Sequence, residues 1–125
     1  MGTISFVILN YKAYEEAAAC AASILKTQTY PDIQIVIVDN GSGNDSVEQL
    51  KARFCGEERV HIITAEKNLG FAQGNNLGIA YAREHFAPDF VVAANSDIIF
   101  EQPDYCQKLF EIYRRKPFAV LGGDV

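Results

Sequence analysis

The sequence predicts an α/β protein: a mostly parallel sheet with helices on both faces, in the order βαβαβαβαβ. Three observations support this. Short apolar, β-branched runs alternate with segments of helical periodicity. The runs are apolar on both faces, as in strands buried between two helical layers. Polar residues cluster directly after the runs, and ligands of such sheets bind beyond the carboxyl ends of the strands. These polar clusters are Asn10-Tyr11, Asp39-Asn40 and Asn95-Ser96-Asp97.

Each element has a local signal. Alanine-rich periodicity predicts a helix from Tyr14 to Leu25, ended by the turn around Pro31. Asp45 and Glu48 stand at capping-box spacing before a second helix. A third helix is predicted over 71–85 and a fourth over 105–114, and the predicted strands are 4–9, 33–38, 60–63, 90–94 and 118–121.

Composition narrows the function classes. The 125 residues correspond to one domain, and no apolar run approaches the roughly 18 residues that span a bilayer. A net charge of −5 disfavours nucleic acid as a partner. Without a secretory signal at the N-terminus, a cytoplasmic protein is expected. The scattered cysteines, Cys20, Cys55 and Cys106, are expected to be reduced and buried as small apolar groups.

The segment at the end of the second strand, 38–46, reads VDNGSGNDS, and a polar turn is predicted from Asp39 to Asn44. Its Asn-Gly and Asx residues are compatible with simple turn chemistry. They are also compatible with a binding site in which Asp39 accepts the imide N–H of uracil or thymine, because a carboxylate can only accept. The residues alone leave both interpretations open.

The segment 68–78, NLGFAQGNNLG, begins a helix with three glycines and three asparagines, which lower helix propensity. One interpretation is close packing of the helix on the sheet, which glycine permits. The other is a helix N-terminus left bare for a ligand. The glycine spacing is not that of a dinucleotide fingerprint.

Asn95-Ser96-Asp97 follows the fourth strand. Asp97 would serve either as a cap for the next element or as a ligand of a divalent ion shared with a pyrophosphate. Mg²⁺ takes only one or two protein carboxylates beside phosphates and waters, so a single aspartate is sufficient.

Together the segments VDNGSGNDS, NLGFAQGNNLGI and VVAANSDI resemble glycosyltransferase family 2, especially its rhamnosyltransferase-like members. The resemblance implies a GT-A fold and inverting sugar transfer from a UDP- or dTDP-linked donor to an acceptor hydroxyl. Asp97 then matches the metal-binding carboxylate of the DxD element, with Mg²⁺ or Mn²⁺ as the cofactor, whereas Asn95 stands at its first position and offers only a carbonyl. Asp39 matches the base-recognition residue, and the other nucleotide-binding positions are Asn10, Tyr11, Asn40, Asn68, Gly70, Phe71, Asn76 and Asn95.

Family members take their general base from the second half of the domain. Glu101 and Asp104 follow Asp97 too closely to match it, and His61 and His85 are expected to be surface or strand-end residues. Residues 1–125 are therefore expected to be the nucleotide-sugar-binding portion of a GT-A domain that lacks its acceptor portion, inactive alone and prone to self-association. In the full-length enzyme the acceptor is expected to be a saccharide or a lipid-linked saccharide, in the cytoplasm or at the membrane periphery.

Two other functions compete. A nucleotide-binding module that never catalyses has the same motifs. A receiver-like signalling domain is disfavoured, because it needs an acidic pair after the first strand, where this chain has Asn10-Tyr11.

Overall fold

A computed structural model of the chain describes residues 3–96, 99–101, 103–104 and 106–107. The predicted helix over 105–114 falls mostly outside these residues, although Cys106 and Gln107 are helical, and the predicted strand over 118–121 lies wholly outside them. The elements are β1 (Ile4–Asn10), α1 (Tyr14–Thr27), β2 (Ile33–Asn40), α2 (Ser46–Arg53), β3 (Val60–Ala65), α3 (Phe71–Phe86) and β4 (Phe90–Asn95).

The four strands form one parallel sheet in the order β3-β2-β1-β4. The register aligns the strand ends: Asn10 pairs with Asp39, and Leu9 pairs with Asn95. The predicted parallel sheet is confirmed, and its polar strand ends lie along one edge.

Alternation of side chains along each strand divides the core into two layers. On one face, Phe6 and Ile35 pack with α1 and with Leu50 of α2. On the other face, Val7 and Val38 pack against α3. Helices therefore cover both faces, as predicted, and each fully buried aliphatic side chain contributes about 1.5–3 kcal/mol.

The helix α1 lies close to the sheet because its buried face is made of small residues, including Ala17 and Ala21. Ile24 is fully buried on this face, and Leu25 is partly buried and packs against the same core cluster. The helix also extends two residues beyond the predicted end, to Thr27.

Two local predictions are wrong. The polar turn was expected to begin at Asp39, but β2 continues through Asn40 because both residues remain paired with β3. The capping box is not formed: Asp45 makes no cap bond, and its Oδ2 instead accepts from Gln49 Nε2 at 3.2 Å. Asn44 Oδ1 accepts the Ser46 N–H at 2.9 Å in its place.

The cysteines behave in two ways. Cys20 and Cys106 are buried as predicted, and burial raises the pKa of the Cys106 thiol to about 12. Cys55 is exposed, so the expectation of burial is wrong for this residue, which follows the end of α2.

None of the helices in the described part of the chain is long and apolar enough to cross a membrane.

Candidate functional site

The centre of the polar edge is the carboxylate of Asp39, near the end of β2. Its Oδ1 accepts from Asn10 Nδ2 at 2.9 Å and from Ser42 Oγ at 2.6 Å, and its Oδ2 accepts from the Ser42 N–H at 3.3 Å. Asp39 and Ser42 are each 3% exposed and Asn10 is 0% exposed. A carboxylate this deeply buried needs such donors, because they replace the water it has lost.

The connection from β1 to α1 is tied to this carboxylate network. The Lys12 N–H donates to Ser42 Oγ at 2.8 Å, and the Ala13 N–H donates to Asn10 Oδ1 at 3.2 Å. Lys12 adopts a left-handed backbone with φ 58°, which is uncommon for a residue with a side chain. Tyr11 is 44% exposed, and Lys12 Nζ lies 5.3 Å from the centre of its ring.

Asn40 holds the loop that leads into α3. Its Nδ2 donates to Asn68 Oδ1 at 3.0 Å and to the Gly70 carbonyl at 3.2 Å, while its Oδ1 accepts from the Leu69 N–H at 3.0 Å. Asn68 Oδ1 also accepts from the Gly70 N–H at 2.8 Å. The amides of Asn40 and Asn68, both predicted to bind nucleotide, thus bond to each other and to the loop backbone.

Gly41 completes this contact. Its φ is +69°, and a Cβ at this position would clash with the backbone of the next loop, at the Lys67 carbonyl carbon and 2.5 Å from the Asn68 backbone nitrogen. Only glycine permits both this backbone conformation and this approach.

The N-terminus of α3 opens at the same edge. Gly70 is its N-cap, with φ +82° and without a side-chain cap bond, and Phe71 is 65% exposed. Within the described part of the chain, the first-turn amides therefore have no side-chain cap. Further along, a Cβ on Gly74 would lie 2.7 Å from Leu9 Cδ1, so the close-packing interpretation is confirmed for this glycine.

Asn75 is a polar residue that the sequence reasoning missed. It is 8% exposed, and its Oδ1 has no hydrogen-bond partner among the described residues. The predicted residue, Asn76, is exposed. Helical spacing could have separated the two, because Asn75 shares the i, i+3, i+7 face with Gly78 and Ala82, which are also buried.

The end of β4 reaches the same edge, because Asn95 pairs with Leu9. Asp97, the predicted metal ligand, lies outside the described residues. Across the residues that are described, no group of three or more His, Cys, Asp and Glu side chains could hold a metal ion.

The two histidines lie away from Asp39. His61 is the second residue of β3, at the amino end of the sheet; its Nε2 lies 2.8 Å from Gln34 Oε1, and its ring centre lies 4.7 Å from that of Phe86. Burial, and secondarily the charge of His85, lowers the pKa of His61. The ring of His85 stacks on that of Tyr81, with 3.9 Å between the ring centres. Both contacts fit structural roles.

A sequence profile of glycosyl transferase family 2 matches residues 5–125, nearly the whole chain. The chain belongs to glycosyl transferase family 2. The chain is similar to the glycosyltransferase GlyG of Streptococcus pneumoniae serotype 4, to which it is 31% identical over 121 residues that cover 97% of this chain and 38% of GlyG. The low-salt glycan biosynthesis hexosyltransferase Agl10 of Haloferax volcanii is 25% identical, over 95% of this chain and 35% of Agl10. The chain thus spans well under half the length of each of these two relatives.

Solved structures share the fold. TarS of S. aureus in complex with UDP superposes with a TM-score of 0.73 at 17% identity, over 90% of this chain and 32% of TarS. The mannosyltransferase PcManGT of Pyrobaculum calidifontis, in complex with GDP-Man and Mn²⁺, gives a TM-score of 0.71 at 16% identity, over 90% of this chain and 32% of that protein. The predicted GT-A fold is confirmed for this member of family 2.

Proposed function

We propose that residues 1–125 form the donor-binding portion of a glycosyltransferase and bind the nucleoside diphosphate of a UDP- or dTDP-linked sugar. The observation that carries this proposal is the Asp39 carboxylate, held at the end of β2 by Asn10 and Ser42. It would accept the imide N–H of the base. Sugar transfer to an acceptor hydroxyl with inversion is the corresponding reaction of the whole protein.

Exposed aromatic rings support a base site here. Tyr11 follows β1 and Phe71 begins α3, and both present apolar surface to solvent beside the buried polar network. Aromatic rings contribute large apolar contact areas, and a flat base can stack on them. Tyr11 and Phe71 are therefore proposed to flank the base and ribose.

The N-terminus of α3 supports binding of the ligand's polar or anionic part. Uncapped amides and the helix dipole favour negative charge at this position. Asn75 lies in the second turn, with an acceptor oxygen that a ribose hydroxyl would satisfy. Asn40 and Asn68 are proposed to act by positioning the loop that ends at Gly70.

A divalent ion, Mg²⁺ or Mn²⁺, is proposed to bind at Asp97, with the Asn95 carbonyl as a neighbouring oxygen. The register supports this position, because β4 ends beside β1 at the edge that carries Asp39. Oxygen donors suit both ions. When bound, such an ion acts as a Lewis acid that neutralises charge on a departing diphosphate.

The general base for the acceptor hydroxyl is proposed to lie outside residues 1–125. This chain alone is then expected to bind donor without transferring sugar. A saccharide or lipid-linked acceptor, rhamnosyltransferase-like specificity and self-association stay predictions.

Calorimetric titration with UDP, dTDP and GDP, with and without Mn²⁺, tests the donor site. Asp39→Asn keeps the side chain's size but turns an N–H₂ group or a neutral oxygen toward the base. Since a hydrogen bond to a charged group contributes about 1.5–3 kcal/mol, binding should weaken about 10- to 100-fold. Asp45→Asn is the matched control, because Asp45 is exposed and, among the described side chains, its carboxylate hydrogen-bonds with Gln49 alone.

Absence of binding by every nucleotide would refute the donor site. Equal weakening by both aspartate variants would remove the role of Asp39. For the ion, Asp97→Asn should abolish any effect of Mn²⁺ on affinity, and an unchanged effect would place the ion elsewhere.

A further inference from the structure

The two oxygens of Asp39 have different hydrogen-bonding capacity left. A carboxylate oxygen has two lone pairs. Oδ1 already accepts two donors, Asn10 Nδ2 at 2.9 Å and Ser42 Oγ at 2.6 Å. Oδ2 accepts one donor in the described structure, the Ser42 N–H at 3.3 Å. One acceptor position on Oδ2 is therefore left for a ligand.

Both donors to Oδ1 are fixed in orientation by backbone groups. Asn10 Oδ1 accepts the Ala13 N–H at 3.2 Å, so the amide must turn its Nδ2 toward Asp39. Ser42 Oγ accepts the Lys12 N–H at 2.8 Å, which directs the hydroxyl proton toward Oδ1. The left-handed backbone of Lys12, φ 58°, belongs to the loop that presents this N–H.

Nucleobases differ in what they offer such a carboxylate. Uracil and thymine present one N–H between two carbonyl oxygens. Guanine presents two adjacent donors, N1–H and the 2-amino group, which a carboxylate satisfies only when both of its oxygens are available. A buried donor left without an acceptor loses its hydration without replacement, and this loss weakens binding.

We propose that Ser42 is a positioning residue that makes this site select uracil or thymine nucleotides over guanine nucleotides, by occupying Oδ1 of Asp39. The proposal rests on the donor-binding function above and adds the chemistry of base selection to it. In this arrangement Oδ2 accepts the single imide N–H, and Oδ1 is saturated and cannot pair with a second donor.

The selection can be tested on the unmodified protein with a pair of purine nucleotides. Inosine diphosphate has the same purine ring, the same N1–H and the same diphosphate as GDP but lacks the 2-amino group. We expect UDP to bind at least about tenfold more tightly than GDP, and inosine diphosphate to bind more tightly than GDP. GDP binding as tightly as UDP, or more tightly than inosine diphosphate, would overturn the proposal without any variant.

Ser42→Ala frees one lone pair on Oδ1 and should reduce the preference for inosine diphosphate over GDP by about tenfold. Ser42→Thr keeps the hydroxyl and should retain the preference. Ser46→Ala is the matched control: Ser46 is also buried, and its Oγ has no partner among the described residues. An unchanged preference in a folded Ser42→Ala protein, checked by circular dichroism, would refute the role of Ser42.

The outcomes separate the two proposals. If no nucleoside diphosphate binds the unmodified protein, the donor site itself fails. The donor site stands and the selection mechanism fails if nucleotides bind, Asp39→Asn weakens their binding, and Ser42→Ala leaves the ratio of the affinities for inosine diphosphate and GDP unchanged.

Discussion

The helix α3 approaches the sheet closely at Gly78, and Gly78→Ala tests how tightly the two are packed. A Cβ on Gly78 would lie 2.5 Å from Val7 Cγ1 and 2.7 Å from Val38 Cγ2. Both valines are fully buried, and β-branched side chains are stiff at χ1. The added methyl group therefore cannot be accommodated by a simple change of rotamer.

Two effects of opposite sign determine the magnitude. Replacing glycine by alanine inside a helix stabilises the protein by about 1 kcal/mol. Inserting a methyl group into a close-packed core costs about 1–3 kcal/mol. Because both contacts at Gly78 are well below van der Waals distance, the upper end applies. We expect a net loss of about 2 kcal/mol in the free energy of unfolding.

Urea denaturation followed by circular dichroism measures this loss as a lower midpoint with an unchanged m-value. Ala80→Gly calibrates the helix term, because Ala80 is an exposed position in the same helix; it should cost about 1 kcal/mol. A Gly78→Ala protein that is more stable than the unmodified one would show that propensity dominates and that α3 is free to move away from β1 and β2.

Two further predictions concern the turn after β2 and the amino end of the sheet. Gly41→Ala should cost at least about 1 kcal/mol more than Gly43→Ala in urea denaturation: the positive φ is common to both, but only at Gly41 would the added methyl group meet a neighbouring backbone. Equal losses would contradict the close approach of Gly41 to the backbone of Lys67 and Asn68. Burial lowers the pKa of His61 below its model-peptide value of 6.5, so the folded state favours the neutral ring. The resulting stability is fully present above pH 6.5 and is lost as the pH falls through the lowered value. Stability measured between pH 8 and 5.5 should therefore decrease on acidification, and by less in His61→Gln; equal decreases would exclude His61 as the cause.

The fold could be predicted because its signal is carried by apolar patterning. Strands that are apolar on both faces require two covering layers, and residues of β2 such as Ile35 and Val38 do face opposite layers. A parallel sheet also brings its carboxyl strand ends to one edge, as predicted, and the pairing of β1 with β2 then places Asn10 beside Asp39.

The hydrogen-bond partners within the site could not be predicted. Spacing places Asn40, Ser42 and Asn44 on one turn, but their partners depend on backbone angles that residue identity does not fix. Asn44 rather than Asp45 caps α2, and Asn40 bonds to a loop 28 residues further along. Competition among several Asx and Ser side chains for nearby backbone groups explains why such local predictions fail.

The same residues stabilise the fold and form the candidate site. The buried carboxylate of Asp39 is stabilised by donors from Asn10 and Ser42, and in the proposed donor site the same donors determine which acceptor position is left for a ligand. A loss of stability in a variant here is therefore compatible with either role. Partial unfolding lowers the apparent affinities for two ligands by the same factor. A change in the relative affinity for two ligands that differ by one amino group therefore cannot come from a loss of stability. Base selectivity is for this reason the measurement that separates recognition by Asp39 from its contribution to stability.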